Sequence, residues 1–391
     1  MIINGYEIIG EWKNASAGMV AEAVKDGNRY LLKKYTTVIA PIHNEIHEQL
    51  FDSKTLAYKQ KQFDDFVERR KALNARLREI DGSMECLFVP CDEFVDGVFY
   101  VEVCKKIDNV LSYDDVMRDM PALILTNSKM IMMVLAGTLA GLHKRGIVYG
   151  AISRNNVVFF KNNSGIYLPK LINPESAFEV NNIPDVIASD SYYYAPEVSI
   201  YSKLDEPKQI EESKRFITEK ADIFSLGLLY HLYLSGQFPV YTSLPESLQK
   251  RYDDPRLIPP CDLLIEGSKL RVSPKITNPS YASLISDMLS LDPSDRPTAT
   301  EVLARIRDTD TARRIISEEP KASTFKVECE EMWPEYKDIE FDVDRLISRG
   351  FISIEKVILH GRRCFKLCRA NGTSQVMLME MMLLLKFAKK K

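Results

Sequence analysis

The spacing of apolar residues in the first hundred positions predicts a strand-rich region with one long helix. Five short apolar segments bounded by turn residues are typical of β-strands, at residues 6–10, 19–23, 30–33, 86–89 and 98–103. Between residues 63 and 80 the apolar side chains recur every three or four positions, which is the period of an amphipathic helix. The last two predicted strands are separated by polar positions, and a hairpin turn is expected between them at Asp96-Gly97.

After residue 105 the pattern becomes mainly helical. Helices are predicted at residues 129–143, 222–234, 281–291 and from 298 or 300 to 305, and short strands at residues 157–160 and 167–172. Ser128 is a suitable N-cap for the first of these helices, and Gly146 lies just past its end. Pro293 stops the helix that begins at Tyr281, because proline cannot continue the hydrogen-bonded turn.

The chain changes character again after residue 308. A charged segment is followed by two predicted strands at residues 352–359 and 363–368, with a turn at Asn371-Gly372. Residues 377–387 are predicted to form a helix with a basic end. This pattern predicts a small α+β module behind a linker.

Composition and charge are those of an ordinary globular protein. Of the 391 residues, 45% are hydrophobic and 27% are charged, and the formal net charge is −3. Such a balance gives no reason to expect binding to nucleic acid. The first residues lack the features of a signal peptide, and no apolar run approaches the roughly 20 residues needed to span a bilayer. We therefore expect a cytoplasmic protein whose seven cysteines are reduced.

Two groups of residues have spacings that raise the question of a metal site. His43 and His47 are four positions apart in an insert at residues 36–60, but no third ligand is apparent and a surface helix explains them. The second group is Cys329, His360, Cys364 and Cys368. The cysteines at 364 and 368 suit small apolar positions in a strand. We predict no metal site from either group, and the role of the insert stays open.

Five short motifs follow one another in one order. They are LHKRGIVYGAISRNNV at residues 142–157, KLINPE at 170–175, YYAPE at 193–197, DIFSLG at 222–227 and LDPSDRP at 291–297. This order resembles that of protein kinases: the catalytic loop, the D-F-G segment, the A-P-E motif, the central helix, and the arginine that pairs with the A-P-E glutamate. With the preceding strands, the resemblance covers residues 6–305, and the chain is identified as a member of the protein kinase superfamily.

The resemblance implies an α+β, two-lobed protein kinase fold with a small C-terminal α+β extension. The N-lobe is an antiparallel sheet plus a helix, and the C-lobe is mainly helical. The implied N-lobe, C-lobe, linker and C-terminal module cover residues 1–104, 105–308, 309–324 and 325–391. Three retained residues have architectural roles in the family. Glu197 and Arg296 are expected to form a buried ion pair, and Asp222 to accept backbone N–H groups near the catalytic loop.

The nucleotide site of the family is only partly retained. The residues that the resemblance assigns to it are Gly18, Val20, Lys33, Glu68, Glu102, Cys104, Asn156 and Asn173. Lys33 stands at the lysine that contacts the phosphates, with Glu68 as its expected partner and Glu79 as the alternative. Asn156 and Asn173 are metal-binding positions only if Mg²⁺ is bound. ATP, with or without Mg²⁺, is the cofactor that the resemblance leaves open.

Three replacements bear on phosphoryl transfer. Ala151 stands at the catalytic aspartate and has no oxygen to accept a proton, a role worth about 10²–10⁴ in rate. Asn173 stands at the metal-binding aspartate, and a neutral amide oxygen is a poorer ligand for Mg²⁺ than a carboxylate. The glycine-rich loop is eroded as well, because bulky Trp12 lies between Gly10 and Gly18.

These losses, with the architectural residues kept, predict a pseudokinase. Its predicted role is that of a regulatory or scaffolding protein-binding module in signalling, with weak or no ATP binding. The expected partners are proteins, an active kinase among them, with no nucleic acid and no transmembrane segment. Contact of the basic end, Lys389-Lys390-Lys391, with acidic lipid is an alternative to a solvated tail. The alternative function is an atypical ATP-dependent serine/threonine kinase, or a nucleotidyl transferase, with relocated catalytic residues.

Overall fold

The computed structural model describes residues 1–15, 18–42, 51–81, 87–162, 165–187, 189–307, 326–328, 339–349, 351–359, 362–369, 374–384 and 388–390. They form two compact units, Met1–Asn182 and Ile183–Lys391. These units do not follow the predicted lobe boundaries, which stay a prediction. Among the residues and segments singled out in the sequence, those outside the described residues are His43, His47, Cys86, Cys329, His360, Asn371, Gly372, Lys391 and the linker at 309–324.

A six-stranded antiparallel sheet opens the first unit. Its strands are β1 (Ile2–Ile3), β2 (Tyr6–Ala15), β3 (Gly18–Lys25), β4 (Asn28–Tyr35), β5 (Asp92–Asp96) and β6 (Phe99–Lys105), in the order β1-β2-β3-β4-β6-β5. The register places Val20, Lys33 and Glu102 side by side on β3, β4 and β6. Because side chains alternate between the two faces of a sheet, Leu32 joins one apolar cluster and Tyr35 joins another.

The strand predicted at residues 86–89 was wrong. Leu87 forms a single bridge to Leu171, and the fifth strand of the sheet is β5 (Asp92–Asp96), which the sequence did not reveal. Polar residues at both ends of β5 weaken the apolar alternation that marks a strand. The turn at Asp96-Gly97 joins β5 to β6, and Gly97 has a φ of 59°, which glycine adopts readily.

The long helix of the first unit, α1 (Ser53–Asp81), begins ten residues before the predicted start. Its buried apolar residues include Phe63 and Leu77, as the period predicts, and also Leu56 in the added turns. The residues on either side of Leu56 are mostly polar, so the apolar period is weak there and the extension could not be predicted.

The remaining elements of the first unit present the loops of the candidate site. They are α2 (Tyr113–Asp119), α3 (Ala122–Thr126), α4 (Ser128–His143), β7 (Ile147–Val148), β8 (Val157–Lys161), β9 (Tyr167–Leu171) and β10 (Phe178–Glu179). Ser128 is the first helical residue of α4 rather than its N-cap, a place taken by Asn127. Strands β8 and β9 pair antiparallel, with Val157 opposite Leu171, so that the residues just before β8 and just after β9 lie together.

The second unit begins with a mainly helical part. Its elements are α5 (Pro196–Tyr201), α6 (Pro207–Lys214), α7 (Lys220–Ser235), β11 (Val240–Tyr241), α8 (Glu246–Arg251), α9 (Pro260–Ile265), β12 (Leu270–Arg271), α10 (Pro279–Met288) and α11 (Ala299–Arg307). Helix α7 is buried on nearly all sides, which explains why its sequence is apolar almost throughout. Gly236 ends it in a left-handed conformation, which glycine commonly adopts at a helix C-terminus.

The carboxyl-terminal part of the second unit is a small α+β assembly. Its elements are β13 (Lys326–Glu328), β14 (Ile339–Phe341), α12 (Val343–Ser348), β15 (Phe351–Leu359), β16 (Arg362–Arg369), β17 (Ser374–Met377), α13 (Met379–Leu384) and β18 (Ala388–Lys390). A sheet runs in the order β13-β15-β16-β17, and β14 pairs with β18. The helix predicted at 377–387 was therefore wrong at its start, because Met377 closes β17, whereas its last three residues lie outside the described residues. The basic residues Lys389 and Lys390 lie in a strand.

This assembly shares an apolar core with the helical part of the same unit. The buried cluster joins Ile200 of α5 to residues of α12, β15, β16, β17 and α13, and Cys364 is buried as a small apolar residue. Residues of the helical part packed against the cluster are Phe216, Ile265 and Leu291. Arg345 and Arg349 donate hydrogen bonds to the carbonyls of Ile265 and Leu264. The described part of the second unit is thus one packed body.

The predicted α+β fold class is confirmed, with an amino-terminal antiparallel sheet followed by a helical region. Among the described residues, every helix is too short or too polar to cross a bilayer.

Candidate nucleotide site

The central lysine of the candidate site, Lys33, is already held by a carboxylate. Its Nζ atom forms an ion pair with Glu175, and the two side chains are only 14% and 13% exposed. The partners expected from the sequence, Glu68 and Glu79, both lie on exposed positions of α1. The structure therefore differs from the prediction, because the residue that α1 turns toward the sheet near this position is Arg70.

Arg70 and Glu102 form the core of a buried polar network beside that pair. Arg70 is 6% exposed and Glu102 is 3% exposed. The Nε and Nη2 atoms of Arg70 lie 3.0 and 2.8 Å from Glu102 Oε1, and Nη1 lies 3.2 Å from the carbonyl of Glu175. Asn74 Nδ2 donates to Glu102 Oε1 at 2.7 Å, and Tyr35 OH donates to Glu102 Oε2 at 2.7 Å. Glu102 is therefore a buried ion-pair residue here, whereas the sequence had assigned it to the nucleotide.

The electrostatic environment of this network is self-balanced. Two cations, Lys33 and Arg70, face two carboxylates, Glu102 and Glu175. Burial raises the pKa of the Tyr35 phenol well above its ordinary value, so Tyr35 stays a neutral donor. Burial opposes the charge of Arg70, yet the Glu102 carboxylate, which accepts its hydrogen bonds, raises the pKa of its guanidinium above the usual value. No net positive charge is left over in this group for a polyanion.

A sequence signal for this network existed. Arg70 and Asn74 are four positions apart on the apolar face of α1, and Glu102 interrupts the apolar strand β6. Polar residues in a buried stripe need partners, because an unpaired buried charge is costly. Since the three residues belong to elements that face each other, their pairing is the simplest way to satisfy all of them.

The two asparagines at the predicted metal positions bind each other. Asn173 Nδ2 donates to Asn156 Oδ1 at 2.9 Å, and Asn156 Nδ2 donates to the carbonyl of Ala151 at 2.9 Å. Asn173 follows β9 in a left-handed conformation, with φ 59° and ψ 57°, which asparagine tolerates better than most residues. The structure thus brings Asn156 and Asn173 together, but the Asn156 oxygen already accepts an amide hydrogen.

The segment before Asn156 is packed as apolar core. Ala151 is 1% exposed, and Tyr149 is fully buried with its hydroxyl donating to the carbonyl of Ile172. Gly150 has a φ of 74°, and a Cβ atom there would lie 2.8 Å from the carbonyl oxygen of Ser176. Glycine is therefore required at 150 by backbone conformation and by close packing.

Gly18 and Val20 lie in strand β3 of the six-stranded sheet. Gly18 begins β3 opposite Tyr35, and a Cβ atom on it would lie 2.0 Å from the carbonyl oxygen of Lys34. Trp12 lies within β2 and packs against the apolar cluster that contains Leu32. The sequence analysis placed Gly10 and Trp12 in an eroded glycine-rich loop. In the structure, the chain up to Ala15 belongs to strand β2. Cys104, on β6, is half-buried, and burial raises the pKa of its thiol well above the ordinary value.

This arrangement does not fit a magnesium–triphosphate group. Lys33 is neutralised by Glu175, whose carboxylate would repel a phosphate. The oxygen of Asn156 that would face a metal is occupied by Asn173. In the part of the chain that the structure describes, no three His, Cys, Asp or Glu residues are grouped so as to hold a metal ion.

The architectural residues lie in the second unit. Glu197 and Arg296 form a two-pronged ion pair, with Nη1–Oε1 and Nη2–Oε2 distances of 2.7 and 2.8 Å. The other N–H groups of Arg296 donate to the carbonyls of Lys220, Ser290 and Leu291. Asp222 is buried in the first turn of α7. The structure thus places Glu197 and Arg296 in the contact that the sequence predicted.

Comparison with known proteins identifies the family of this chain. The sequence profile described as "Protein kinase domain" matches residues 92–306, which is more than half of the chain. A calcium and calcium/calmodulin-dependent serine/threonine-protein kinase of Lilium longiflorum is 25% identical over 169 residues, 43% of this chain and 28% of the relative. The serine/threonine-protein kinase pkn2 of Myxococcus xanthus is 25% identical over 178 residues, 44% of this chain and 19% of the relative.

A further calcium and calcium/calmodulin-dependent serine/threonine-protein kinase, from Lotus japonicus, is 25% identical over 183 residues, 46% of this chain and 30% of the relative. The chain thus spans less than a third of the length of each of these relatives. Because the profile matches more than half of the sequence and the motifs occur in the family's order, the chain belongs to the protein kinase domain family.

Proposed function

We propose that this protein is a pseudokinase, a member of the kinase family that binds other proteins and does not transfer phosphate. The observation that carries the proposal is the ion pair between Lys33 and Glu175. In the resemblance, Lys33 is the residue that contacts the nucleotide phosphates. A carboxylate that already neutralises it stands in the place where a phosphate oxygen is needed.

The electrostatic cost of nucleotide binding supports this proposal. To contact a phosphate, Lys33 must leave Glu175, and Glu175 would then be a largely buried carboxylate without its cation beside a polyanion. Breaking one side of a buried pair costs about 3–5 kcal/mol in other proteins. Ala151 adds a second obstacle, since it offers no oxygen to accept a proton from a hydroxyl.

The proposed role is regulatory or scaffolding, within signalling in the cytoplasm. The polar network of Arg70, Asn74 and Glu102 ties α1 to the sheet through side chains that need no ligand. A fold whose first unit is fixed in this way offers a constant surface to a protein partner, for which an active kinase is our first candidate. ATP binding is weak or absent under this proposal.

Thermal melting with nucleotide tests the proposal directly. We expect the melting temperature of the full chain to stay unchanged with millimolar ATP, with or without Mg²⁺. A ligand present at 100 times its Kd would stabilise the protein by about 2.7 kcal/mol, which is readily measured. Incubation with γ-labelled and α-labelled ATP is the companion experiment. A label that enters protein and is lost in Lys33→Ala would establish an atypical kinase or a nucleotidyl transferase instead.

Removing the carboxylate is expected to strengthen the binding of an anion at Lys33. In Glu175→Ala, Lys33 loses its counter-ion, while the backbone carbonyl that accepts from Arg70 is retained. We expect binding of a trinitrophenyl derivative of ATP, measured by fluorescence without Mg²⁺, to tighten about tenfold or more, which corresponds to about 1.4 kcal/mol.

The matched control is Glu179→Ala. Glu179 lies four residues further along and pairs with Arg76 at a more exposed position, so its loss changes the net charge equally. An equal gain in both variants would mean that the effect is one of net charge, and an unchanged affinity in Glu175→Ala would show that Glu175 does not block the site.

A further inference from the structure

The second unit contains a cavity of about 540 Å³ that the kinase-like site does not use. It lies between α5, the loops around residues 215–220 and 290–295, and strand β17. We propose that this cavity binds a small organic anion, with an apolar body in the cavity and a carboxylate or sulfonate toward its cationic side chains. Its volume falls in the range of about 300–1,000 Å³ that is typical of small-molecule sites.

The apolar part of the cavity is built on the core of the unit. The apolar side chains that line it are Ile200, Phe216, Leu291, Phe351, Val376 and Met377. Three of them, Ile200, Phe351 and Met377, are buried members of the shared apolar cluster, so this wall is held by packing. A preformed wall of this kind favours a rigid aromatic or short aliphatic body, because little of the protein has to be ordered on binding.

The charges that line the cavity are equal in number but unevenly paired. Four cations, Arg215, Lys220, Arg349 and Arg369, meet four carboxylates, Glu197, Glu219, Asp292 and Asp295. Two of those carboxylates are taken by Arg369, with Nη2 at 2.8 Å from Asp292 and 3.2 Å from Asp295. Glu197 is taken by Arg296. Because Arg369 carries one charge, one charge of the Asp292–Asp295 pair stays unbalanced, and Glu219 is the fourth carboxylate of the lining.

Those three cations have no carboxylate partner within salt-bridge distance among the described residues. Lys220 donates to the carbonyl of Arg296, and Arg349 donates to the carbonyl of Leu264. The guanidinium of Arg215 is exposed and lies 4.9 Å from the ring of Phe216. Backbone carbonyls accept hydrogen bonds but do not neutralise a charge. The formal charges of the lining therefore sum to zero, but three of the four cations are left without an ion-pair partner, whereas Arg369 is shared by two carboxylates.

The titration of these groups agrees with the geometry. Burial lowers the pKa of Lys220, and Arg296 lowers it further, while Glu301 and Glu219 act in the opposite direction. Burial and the neighbouring Arg345 lower the pKa of Arg349 to about 10. Both shifts mean that the charged form lacks compensation in the protein alone. An anion held in the cavity would supply that compensation.

Two fluorescent probes that differ by one charged group test the proposal on the full chain. The anionic probe is 1-anilinonaphthalene-8-sulfonate, and N-phenyl-1-naphthylamine has the same rings without the sulfonate. We expect one molecule of the sulfonate probe to bind, at least about tenfold more tightly than the neutral probe. Equal affinities for the two probes would overturn the assignment of an anion site.

Three variants locate the binding. Val376→Trp fills the cavity from β17 and is expected to weaken the sulfonate probe about tenfold or more. Lys220→Met and Arg215→Ala remove one cation each and are expected to weaken it by about three- to tenfold, with no effect on the neutral probe. The matched control, Lys250→Met, removes a charge from an exposed pair with Glu246 and is expected to change nothing.

The outcomes separate the cavity from general surface binding. Circular dichroism melts show which variants fold. If Val376→Trp or Lys220→Met disturbs folding, Arg215→Ala still tests the proposal, because Arg215 is exposed. Binding of the sulfonate probe that survives both Val376→Trp and Arg215→Ala in folded protein would overturn the proposal. So would an equal loss in Lys250→Met.

Discussion

Replacing Arg296 with methionine is expected to lower the free energy of unfolding by about 3–5 kcal/mol. The substitution keeps an apolar side chain of similar length but leaves Glu197, whose side chain is only 4% exposed, without its cation. Three backbone carbonyls lose a donor at the same time. Urea unfolding of the full chain, followed by tryptophan fluorescence and by circular dichroism, measures the loss.

The control for this variant is Arg305→Met in the same unit. Arg305 pairs with Asp287 at 2.7 Å, close to the distance in the buried pair, but its side chain is 38% exposed and that of Asp287 is 47% exposed. Solvent screens such a pair, and we expect a loss of at most about 1 kcal/mol. Equal losses in the two variants would show that burial does not govern the strength of the Glu197–Arg296 pair.

Replacing Arg70 with methionine is the second change with a large expected effect. Glu102 would remain buried with only the neutral donors Tyr35 and Asn74, so the protein is expected to lose about 3–5 kcal/mol. The double variant Arg70→Met/Glu102→Gln removes both charges and keeps one acceptor oxygen for Asn74, while its amide N–H can donate to the Tyr35 hydroxyl. We expect it to be more stable than Arg70→Met alone, by about 1–3 kcal/mol.

Arg76→Met serves as the matched control on the same helix. Its partner Glu179 is 42% exposed, so the expected loss is small. The outcome that would contradict the buried network is a double variant as unstable as Arg70→Met, because the cost would then come from lost packing and not from an unpaired carboxylate. Urea unfolding of the four proteins under identical conditions decides between them.

The kinase-like architecture was accessible from the sequence because its markers are local. Each motif is a short run of residues that can be recognised without knowledge of the tertiary structure. The pairing of Glu197 with Arg296 follows once the two motifs that contain them are found. The partner of Lys33 was not accessible in this way. Glu175 is 142 positions away, and only the register of the folded chain brings the two together. The helix that was expected to supply a glutamate supplies Arg70.

The ends of elements were missed for a different reason. Strand β17 and helix α13 follow one another in a Met- and Leu-rich segment, and a run of mostly apolar residues fits a buried strand as well as a helix. The basic residues after that segment suggested a solvated tail, but Lys389 lies opposite Glu340 in the pair of β18 with β14. Tertiary pairing decided both structures, and no local pattern encodes it.

The apolar core of the second unit extends beyond the segment that matches the kinase family. The family profile ends at residue 306, yet Ile200, Phe216 and Leu291 are sheltered by side chains that come from residues 346–382. A fragment that ends at residue 306 would expose these apolar side chains to solvent, and an exposed apolar patch favours aggregation. The segment that matches the family is therefore shorter than the segment that shares this core. A protein partner that binds near α5 would meet a surface that residues 346–382 already partly cover.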